Sequence, residues 1–587
     1  MNPKPARSST TVLSFVERHQ GLLVVLVAAF AVRISGLGEW WLNPDEGIYY
    51  SILTRVSFGG FWDEVASNAH PPLYYLLLRG LGLLTWDFSW FRGFTLVCGL
   101  GAVWAIWAVA RSLAGLGARG TVAGLVAAVA VAFAPGAIEL SQVIRPYMLQ
   151  AALLGGALFF LLRYLEEARG SDGARAAAEP TRPDSFRSEG AGRNLPAYVA
   201  LILLALLTHY SSVLALAAFG LVVLHDGFAH GHQRRAWRRL LAMHLIPGVL
   251  LGLVYLVHLR PLMNSALADE ALDGWLSPYM IDSPGDAWLG FLGFQHILAH
   301  PWLRGLTAVL ALAALVVSAL SRPDDRESGP DPRRPAAVMG AGLVVAALAA
   351  ALGAYPFGST RHSAWLLVFI VPGLGWIVAY ALSRTGRAAL LWGGALLVLL
   401  AASGPVSDAL GGQSAPWAPT DRVLRQSNLA QLADIIGPEG SPELIVVSAQ
   451  TFYLLLPLYP AEREGATWSE DGRLFHFDFG ARRVLVSQSW DFSAGPDPKA
   501  RSHLAGTLSE AIRAFPDLGI QDMEQAVLLV GGWRPALVDE LAAASEREPF
   551  IISQRTVPGM FAYLLDLPPL MDVFGTSPFD RPVEPAP

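Results

Sequence analysis

From about residue 20 to Ser403 the chain alternates long apolar runs with short polar gaps. A helix needs roughly 20 mostly apolar residues to cross a bilayer. The pattern predicts spans over 20–37, 92–111, 121–138, 147–165, 196–208, 211–225, 240–259, 302–320, 336–354, 362–383 and 388–403, about eleven in all. The stretch 196–225 is too long for one span and has His209-Tyr210 at its middle, so it reads as two spans hinged at that pair. His70–Trp86 is apolar but short, has two prolines after its first residue and contains Arg79. It predicts an interfacial helix rather than a crossing one, and Gly47–Ser67 predicts another. Residues 170–195 and 321–335 read as flexible loops.

After Ser403 the pattern becomes that of a soluble domain. Leu424–Ile436, Ala500–Phe515 and Pro535–Ser545 have helical spacing. Leu444–Ser448, Arg483–Ser487 and Ala526–Val530 are short apolar strand candidates, and Phe550–Arg555 with Met560–Leu565 predict a hairpin around Pro558-Gly559. Strands alternating with helices predict a small α/β sheet. The expected fold is therefore a polytopic α-helical membrane protein with a C-terminal extracytoplasmic α/β domain. Residues 1–403 form the transmembrane part, with a first outer loop over 38–91, and 404–587 form the outer domain. Gly531-Gly532 after a strand is too little to make a phosphate loop, and no internal repeat is visible.

Composition agrees with this division. The 587 residues are 53% hydrophobic and 15% charged, against about 25% charged in soluble domains; mean hydropathy is +0.42. A net charge of −6 argues against nucleic acid as a partner. Cys98 is the only cysteine, which excludes an intrachain disulfide and a cysteine metal cluster.

Lys4 and Lys499 are the only lysines, so arginine marks sidedness. With Lys4, Arg7 and Arg18 in the cytoplasm, the gaps on that side hold Arg111, Arg119, Arg163, Arg169, Arg234, Arg235, Arg333, Arg334, Arg384 and Arg387, among others. The opposite gaps hold only Arg55, Arg79, Arg145, Arg260 and Arg361. The positive-inside rule then predicts a cytoplasmic N-terminus and an outer C-terminal domain. Abundant Arg, Ala and Gly with few lysines suggest a GC-rich bacterial genome, hence a bacterial inner or cell membrane with the domain periplasmic or extracellular. Ala29-Phe30-Ala31 fits a signal-cleavage site, but apolar character resumes after Arg33, and an anchored first span is the expectation.

The candidate chemistry lies at the outer ends of the spans. Asn43-Pro44-Asp45-Glu46 follows the first span, and proline there suits a helix start, whose first turn favours carboxylates without any further role. His70-Pro71-Pro72-Leu73-Tyr74 comes later in the same loop. Arg145-Pro146-Tyr147 opens the fourth span, His209-Tyr210 forms the hinge, and the stretch Tyr355 to His362 brings Arg361 and His362 to the tenth. Singly, each reads as an interfacial anchor. Together they place an acidic pair, three histidines, two arginines and several tyrosines at one membrane level, on the side otherwise poor in arginine.

With Arg33 late in the first span, Arg92 opening the second and Thr208-His209-Tyr210 at the hinge, the order of these pieces resembles the protein O-mannosyltransferase and aminoarabinose-to-lipid A transferase superfamily, of GT-C fold. The resemblance covers the membrane part, most clearly residues 20–215. It implies a glycosyltransferase whose donor is a sugar joined through phosphate to a polyprenyl lipid, with a lipid, glycan or protein acceptor. In that reading Asp45 and Glu46 are catalytic, Asp45 as the base for the acceptor hydroxyl. Arg145, Tyr147, Arg361 and His362 would hold the donor phosphate, arginine because it meets phosphate with two parallel hydrogen bonds. His70, Tyr74, His209 and Tyr210 would bind substrate.

No cofactor is expected. A divalent metal on Asp45, Glu46 and His70 is the alternative, ranked lower because two arginines already bring the charge. The rival functions are a transporter or flippase of lipid-linked sugars, which calls for polar residues along the midplane, and a non-catalytic receptor or assembly subunit. A sugar-polymer ligase of related fold would share the donor chemistry.

Overall fold

The computed structural model describes residues 9–35, 37–68, 70–115, 117–177, 191–229, 233–260, 276–322, 330–385, 424–439, 441–459, 465–488, 503–532, 541 and 550–574. The chain divides into two compact units: Met1–Leu37 with Asp63–Ala418, and Gly38–Trp62 with Pro419–Pro587. The stretch 38–62 thus clusters with the C-terminal part of the chain. In chain order the first helices are α1 (Ser9–Ile34), α2 (Pro44–Leu53), α3 (Phe58–Ser67), α4 (Pro72–Gly82), α5 (Phe88–Ala114), α6 (Ala118–Ala132), α7 (Pro135–Leu140) and α8 (Tyr147–Ala177). They are followed by α9 (Ala191–Leu206), α10 (Ser212–Ala229), α11 (Gln233–Val254), α12 (Pro284–Leu298), α13 (Arg304–Leu320), α14 (Arg334–Ala351) and α15 (Leu367–Thr385).

The first unit is a helical bundle. Among the described residues, seven stretches are helical, long and apolar enough to cross a membrane: Phe88–Ala114, Tyr147–Arg169, Ser212–Ala229, Trp237–Leu259, Pro301–Leu320, Arg334–Ala351 and Arg361–Arg384. Three further expected spans coincide with the shorter apolar helices His19–Ile34, Ala118–Ala132 and Arg193–Leu206. The eleventh, 388–403, lies outside the described residues, as do the expected boundary at 404 and most of the helix expected over Pro535–Ser545. The protein is polytopic and α-helical in its membrane part. Its core runs through α5, α6, α8, α10, α14 and α15 and is built largely of Ala, Val and Leu. The alanines among them let helices approach closely where lipid supplies no hydrophobic drive. Gly99 on α5 shows this: a Cβ there would lie 2.9 Å from that of Ser141 and 3.4 Å from Arg33 Nε.

The expected hinge in 196–225 is present. α9 ends at Leu206 and α10 begins at Ser212, where Thr208 donates from Oγ1 to the Leu204 carbonyl (2.7 Å) and Ser212 from Oγ to that of Ala205 (2.8 Å). Hydroxyl side chains that capture backbone carbonyls compete with helix continuation. The segment after His70 is the 11-residue α4, too short to cross. The stretch 47–67 is not one interfacial helix but parts of two, α2 and α3, separated at 54–57. The loop expected over 170–195 is shorter at both ends, because α8 continues to Ala177 and α9 begins at Ala191.

Among the described residues of the second unit, a seven-stranded sheet has the order β2-β3-β4-β1-β5-β7-β6. The strands are β1 (Leu444–Ser448), β2 (Thr467–Trp468), β3 (Leu474–Phe479), β4 (Arg482–Ser487), β5 (Gln525–Gly531), β6 (Ile551–Val557) and β7 (Met560–Asp566). Central β1 runs parallel to both β4 and β5 and is buried along its whole length, as its continuous apolar run requires. β6 and β7 form the expected hairpin, with β6 as an exposed polar edge. The predicted helix over 500–515 is His503–Ala514, whereas Leu424–Ile436 holds two short helices, Gln426–Ala430 and Ala433–Ile436. A helix over Ala449–Leu455 follows β1; neither it nor the β2–β3 hairpin was predicted.

Candidate functional site

Four segments of the helical unit meet where α8 begins and α9 ends. Pro146 leads into α8 and fixes the approach of Arg145 and Tyr147. One turn on, Gln150 donates from Nε2 to the hydroxyls of Ser211 (2.8 Å) and Ser212 (3.0 Å), which ties α8 to the α9–α10 turn. His209 sits in that turn, its Nδ1 within 2.9 Å of Ser211 Oγ and 3.2 Å of Ser211 N. Pro71 and Pro72 start α4, and the Leu73 amide donates to the Leu207 carbonyl (2.9 Å). That bond fixes the segment after His70 to the same turn. A 3₁₀ turn, Arg361–Leu366, precedes α15 and is capped by Thr360, whose hydroxyl lies 2.8 Å from His362 Nδ1.

The rings from these segments form one chain of contacts. His70 and His209 have centroids 5.1 Å apart, His209 and Tyr147 5.0 Å, Tyr147 and His362 6.0 Å, and His362 and Tyr355 6.0 Å. Six of the ten candidate residues, His70, Arg145, Tyr147, His209, Arg361 and His362, thus come together through ring contacts or close electrostatic coupling. Loss of water around His70, and then the charges of Arg361 and His258, push its pKa down to about 4. Burial, with His70, His362 and Arg145 adding to it, holds His209 well below the usual histidine range. Burial and then Tyr147 push the Tyr355 phenol up. His70 and His209 are therefore neutral near pH 7, and the fixed positive charge of the cluster belongs to Arg145 and Arg361. Among the described residues, His209 Nε2 is buried with no hydrogen-bond partner. A buried polar atom without a partner carries a desolvation cost that a ligand can relieve.

Tyr210 lies beside the cluster. Its hydroxyl bonds His258 Nδ1, and His258 Nε2 lies 3.2 Å from the Val65 carbonyl. Sequence reasoning missed His258. It occupies a π-helical turn, Tyr255–Leu259, at the end of α11; such turns recur at functional sites. A polar ring inside an otherwise apolar span was the available signal. Tyr74 serves packing: its hydroxyl lies 2.7 Å from Thr95 Oγ1 on α5, and its ring contacts Phe94.

The two motif arginines hold the framework. Arg33 is fully buried, with Nε donating to Ser141 Oγ (3.0 Å), Nη1 to the Ala132 carbonyl (2.6 Å) and Nη2 to that of Val131 (3.1 Å). It caps the C-terminal end of α6, where the last carbonyls lack helical partners. Arg92 donates to the Leu37 carbonyl (3.2 Å) and packs over the Phe88 ring.

Asp45 and Glu46 belong to the other unit, in the first turn of α2. Glu46 closes a capping box: its Oε2 accepts from the Asn43 amide (3.1 Å), while Asn43 Oδ1 accepts from the Glu46 amide (2.8 Å). The Glu46 carboxylate therefore holds its own helix start. Among the described residues no group of three His, Cys, Asp or Glu side chains gathers as metal ligands do.

No family model matches the chain, and no curated protein matches it. Among solved structures it is similar to ArnT from Cupriavidus metallidurans bound to undecaprenyl phosphate, at 14% identity over 93% of this chain and 98% of that one, with a TM-score of 0.48. The apo state of ArnT gives the same identity and coverage with a TM-score of 0.35. ArnT is an aminoarabinose transferase of GT-C fold. At that degree of likeness nothing further is carried from those chains to this one.

Proposed function

We propose that this protein is a membrane glycosyltransferase of GT-C type that moves a sugar from a polyprenyl-phosphate donor to an acceptor hydroxyl, at the outer face of a bacterial membrane. The observation that carries this reading is the gathering of Arg145 and Arg361 with neutral His70 and His209, whose buried Nε2 has no hydrogen-bond partner among the described residues.

The chemistry fits that arrangement. The donor is a phosphodiester with one negative charge, and the departing polyprenyl phosphate is a monoester with up to two. Two fixed guanidiniums interact more strongly with the second state than with the first, which is what lowers a barrier. Neutral imidazoles and the Tyr147 and Tyr210 hydroxyls suit uncharged sugar hydroxyls and phosphate oxygens.

The acceptor oxygen attacks the anomeric carbon as the carbon–phosphate-oxygen bond breaks, and polyprenyl phosphate leaves with the electron pair. Attack opposite the leaving group inverts the anomeric centre. The hydroxyl proton passes to the carboxylate assigned as base, Asp45. Glu46 supports it by capping the helix that both occupy.

The test is release of polyprenyl phosphate by purified full-length protein, offered a panel of polyprenyl-phosphate sugars with lipid and glycan extracts as acceptors. Asp45→Asn is expected to lower release by about a hundredfold, the scale of a lost general base. Equal release by both proteins removes Asp45 from the role. No release from any donor, with the protein shown folded, removes the function.

A further inference from the structure

The proposed reaction gives the C-terminal α/β unit no role beyond carrying the Asp45 helix. Its contacts with that helix define the role. α2 packs against the helix Ala449–Leu455 that follows central strand β1 and against the short 3₁₀ turn after it, Leu456–Leu458. At the crossing stands Gly47, two residues after Asp45. A Cβ there would fall inside the Tyr453 carbonyl group and 2.9 Å from Tyr453 Cβ, so only glycine permits this approach.

The chain leading into α2 is anchored to the same unit. The Trp41 amide donates to the Leu424 carbonyl (2.7 Å), Trp41 Nε1 to that of Leu454 (2.7 Å), and the Gln426 amide to that of Glu39 (3.0 Å). The Arg425 guanidinium covers the Trp40 ring. Most of α2 is buried, including Gly47, Tyr49, Tyr50, Ile52 and Leu53.

We infer that the C-terminal unit is the mount of the proposed base, with Gly47 and Trp41 as positioning residues that fix the Asp45 helix on Ala449–Leu455. The consequence for catalysis rests on Asp45 being the base. The mounting itself rests only on contacts within this unit. A carboxylate that must take a proton in the transition state loses rate steeply when displaced by about 1 Å, up to about a hundredfold, while a donor lipid held elsewhere is bound as before. The effect belongs in kcat and not in donor affinity.

The experiment compares full-length wild type with Gly47→Ala and Trp41→Phe. Three quantities are read: amide exchange of residues 44–53 and 449–455, binding of undecaprenyl phosphate, and turnover of the sugar donor found active. Gly47→Ala is expected to raise exchange in both segments together and to lower kcat by at least about tenfold, with undecaprenyl phosphate affinity within about twofold. Trp41→Phe adds no atoms and removes one hydrogen bond, so it reports even where Gly47→Ala fails to fold; kcat is expected to fall about threefold to tenfold. Faster exchange with unchanged kcat in either variant overturns the catalytic consequence. Unchanged exchange in both overturns the mounting. Wild type inactive with every donor removes the proposed function, and the exchange data then decide the mounting by themselves.

Discussion

The helical unit treats charge differently at its two ends. Where α8 finishes, arginines are matched by carboxylates. Arg169 lies 2.5 Å from Asp226 and 3.9 Å from Asp331, Arg333 lies 3.2 Å from Asp331, and Arg334 lies 3.0 Å from Glu166 and 3.3 Å from Asp226. Arg334 and Asp226 are almost wholly buried. Where α8 begins, Arg145 and Arg361 act on a row of neutral rings, and His209 Nε2 has no hydrogen-bond partner among the described residues. A buried charge tolerates its site when a counter-charge is at hand. The first end meets that condition from within and works as a clasp joining α8, α10 and the start of α14. The second is the end to which the proposed function assigns the donor phosphate. Under the proposed function, the same residue type serves structure at one end and binding at the other.

Substitutions at the two ends test the contrast most severely. Asp226→Asn strips the counter-charge from Arg334 and Arg169 and is expected to lower stability by about 3–5 kcal/mol, the scale for breaking a buried ion pair, with turnover of the surviving folded protein unchanged. The thermal midpoint in detergent and kcat per folded molecule check this. Arg145→Ala should do the reverse: polyprenyl phosphate release falls about 10²–10³-fold, as for a lost oxyanion donor, with a small change in midpoint. If Arg145→Ala unfolds the protein while Asp226→Asn abolishes turnover, the contrast is inverted.

His209→Phe keeps a ring against Tyr147 and His70 but removes the unsatisfied nitrogen. We expect release to fall about tenfold, one hydrogen bond's worth, and unchanged release would remove that nitrogen from ligand contact.

The smallest effect is a pH dependence. His70 has its pKa lowered from 6.5 to about 4 in the folded chain, so over that window the unfolded chain holds the extra proton. Stability is therefore full above about pH 6.5 and declines as pH falls toward about 4. His70→Gln should flatten this part of the thermal-midpoint profile. A profile that stays steep assigns the dependence elsewhere.

Features encoded in local pattern were legible in the sequence. Thr208-His209-Tyr210 marked the break between α9 and α10, Pro558-Gly559 the β6–β7 hairpin, and Pro71-Pro72 a short helix. The gathering of His70, Arg145, His209 and His362 was legible because bilayer depth orders them in one dimension before any folding is considered. Contacts remote in sequence were not legible. Nothing near Gly47 announces Tyr453, and the docking of α2 changes the reading of 47–67 from one interfacial helix to parts of two. Glu46 looked like chemistry and serves at least as a cap. His258 was hidden by the hydrophobicity of its span.

The bonds that seat Trp41 join residues far apart in the chain: Nε1 reaches Leu454, 413 positions later. At roughly 5–20 residues per second of synthesis, the segment before the Asp45 helix waits on the order of 20–80 s for its partner to be made. Throughout that interval the helical unit can already be inserting and binding lipid, while α2 has no seat. If the proposed function holds, a growing chain acquires its donor-binding end before Asp45 has its seat, and a ribosome-bound or prematurely stopped product is inert toward lipid-linked sugars.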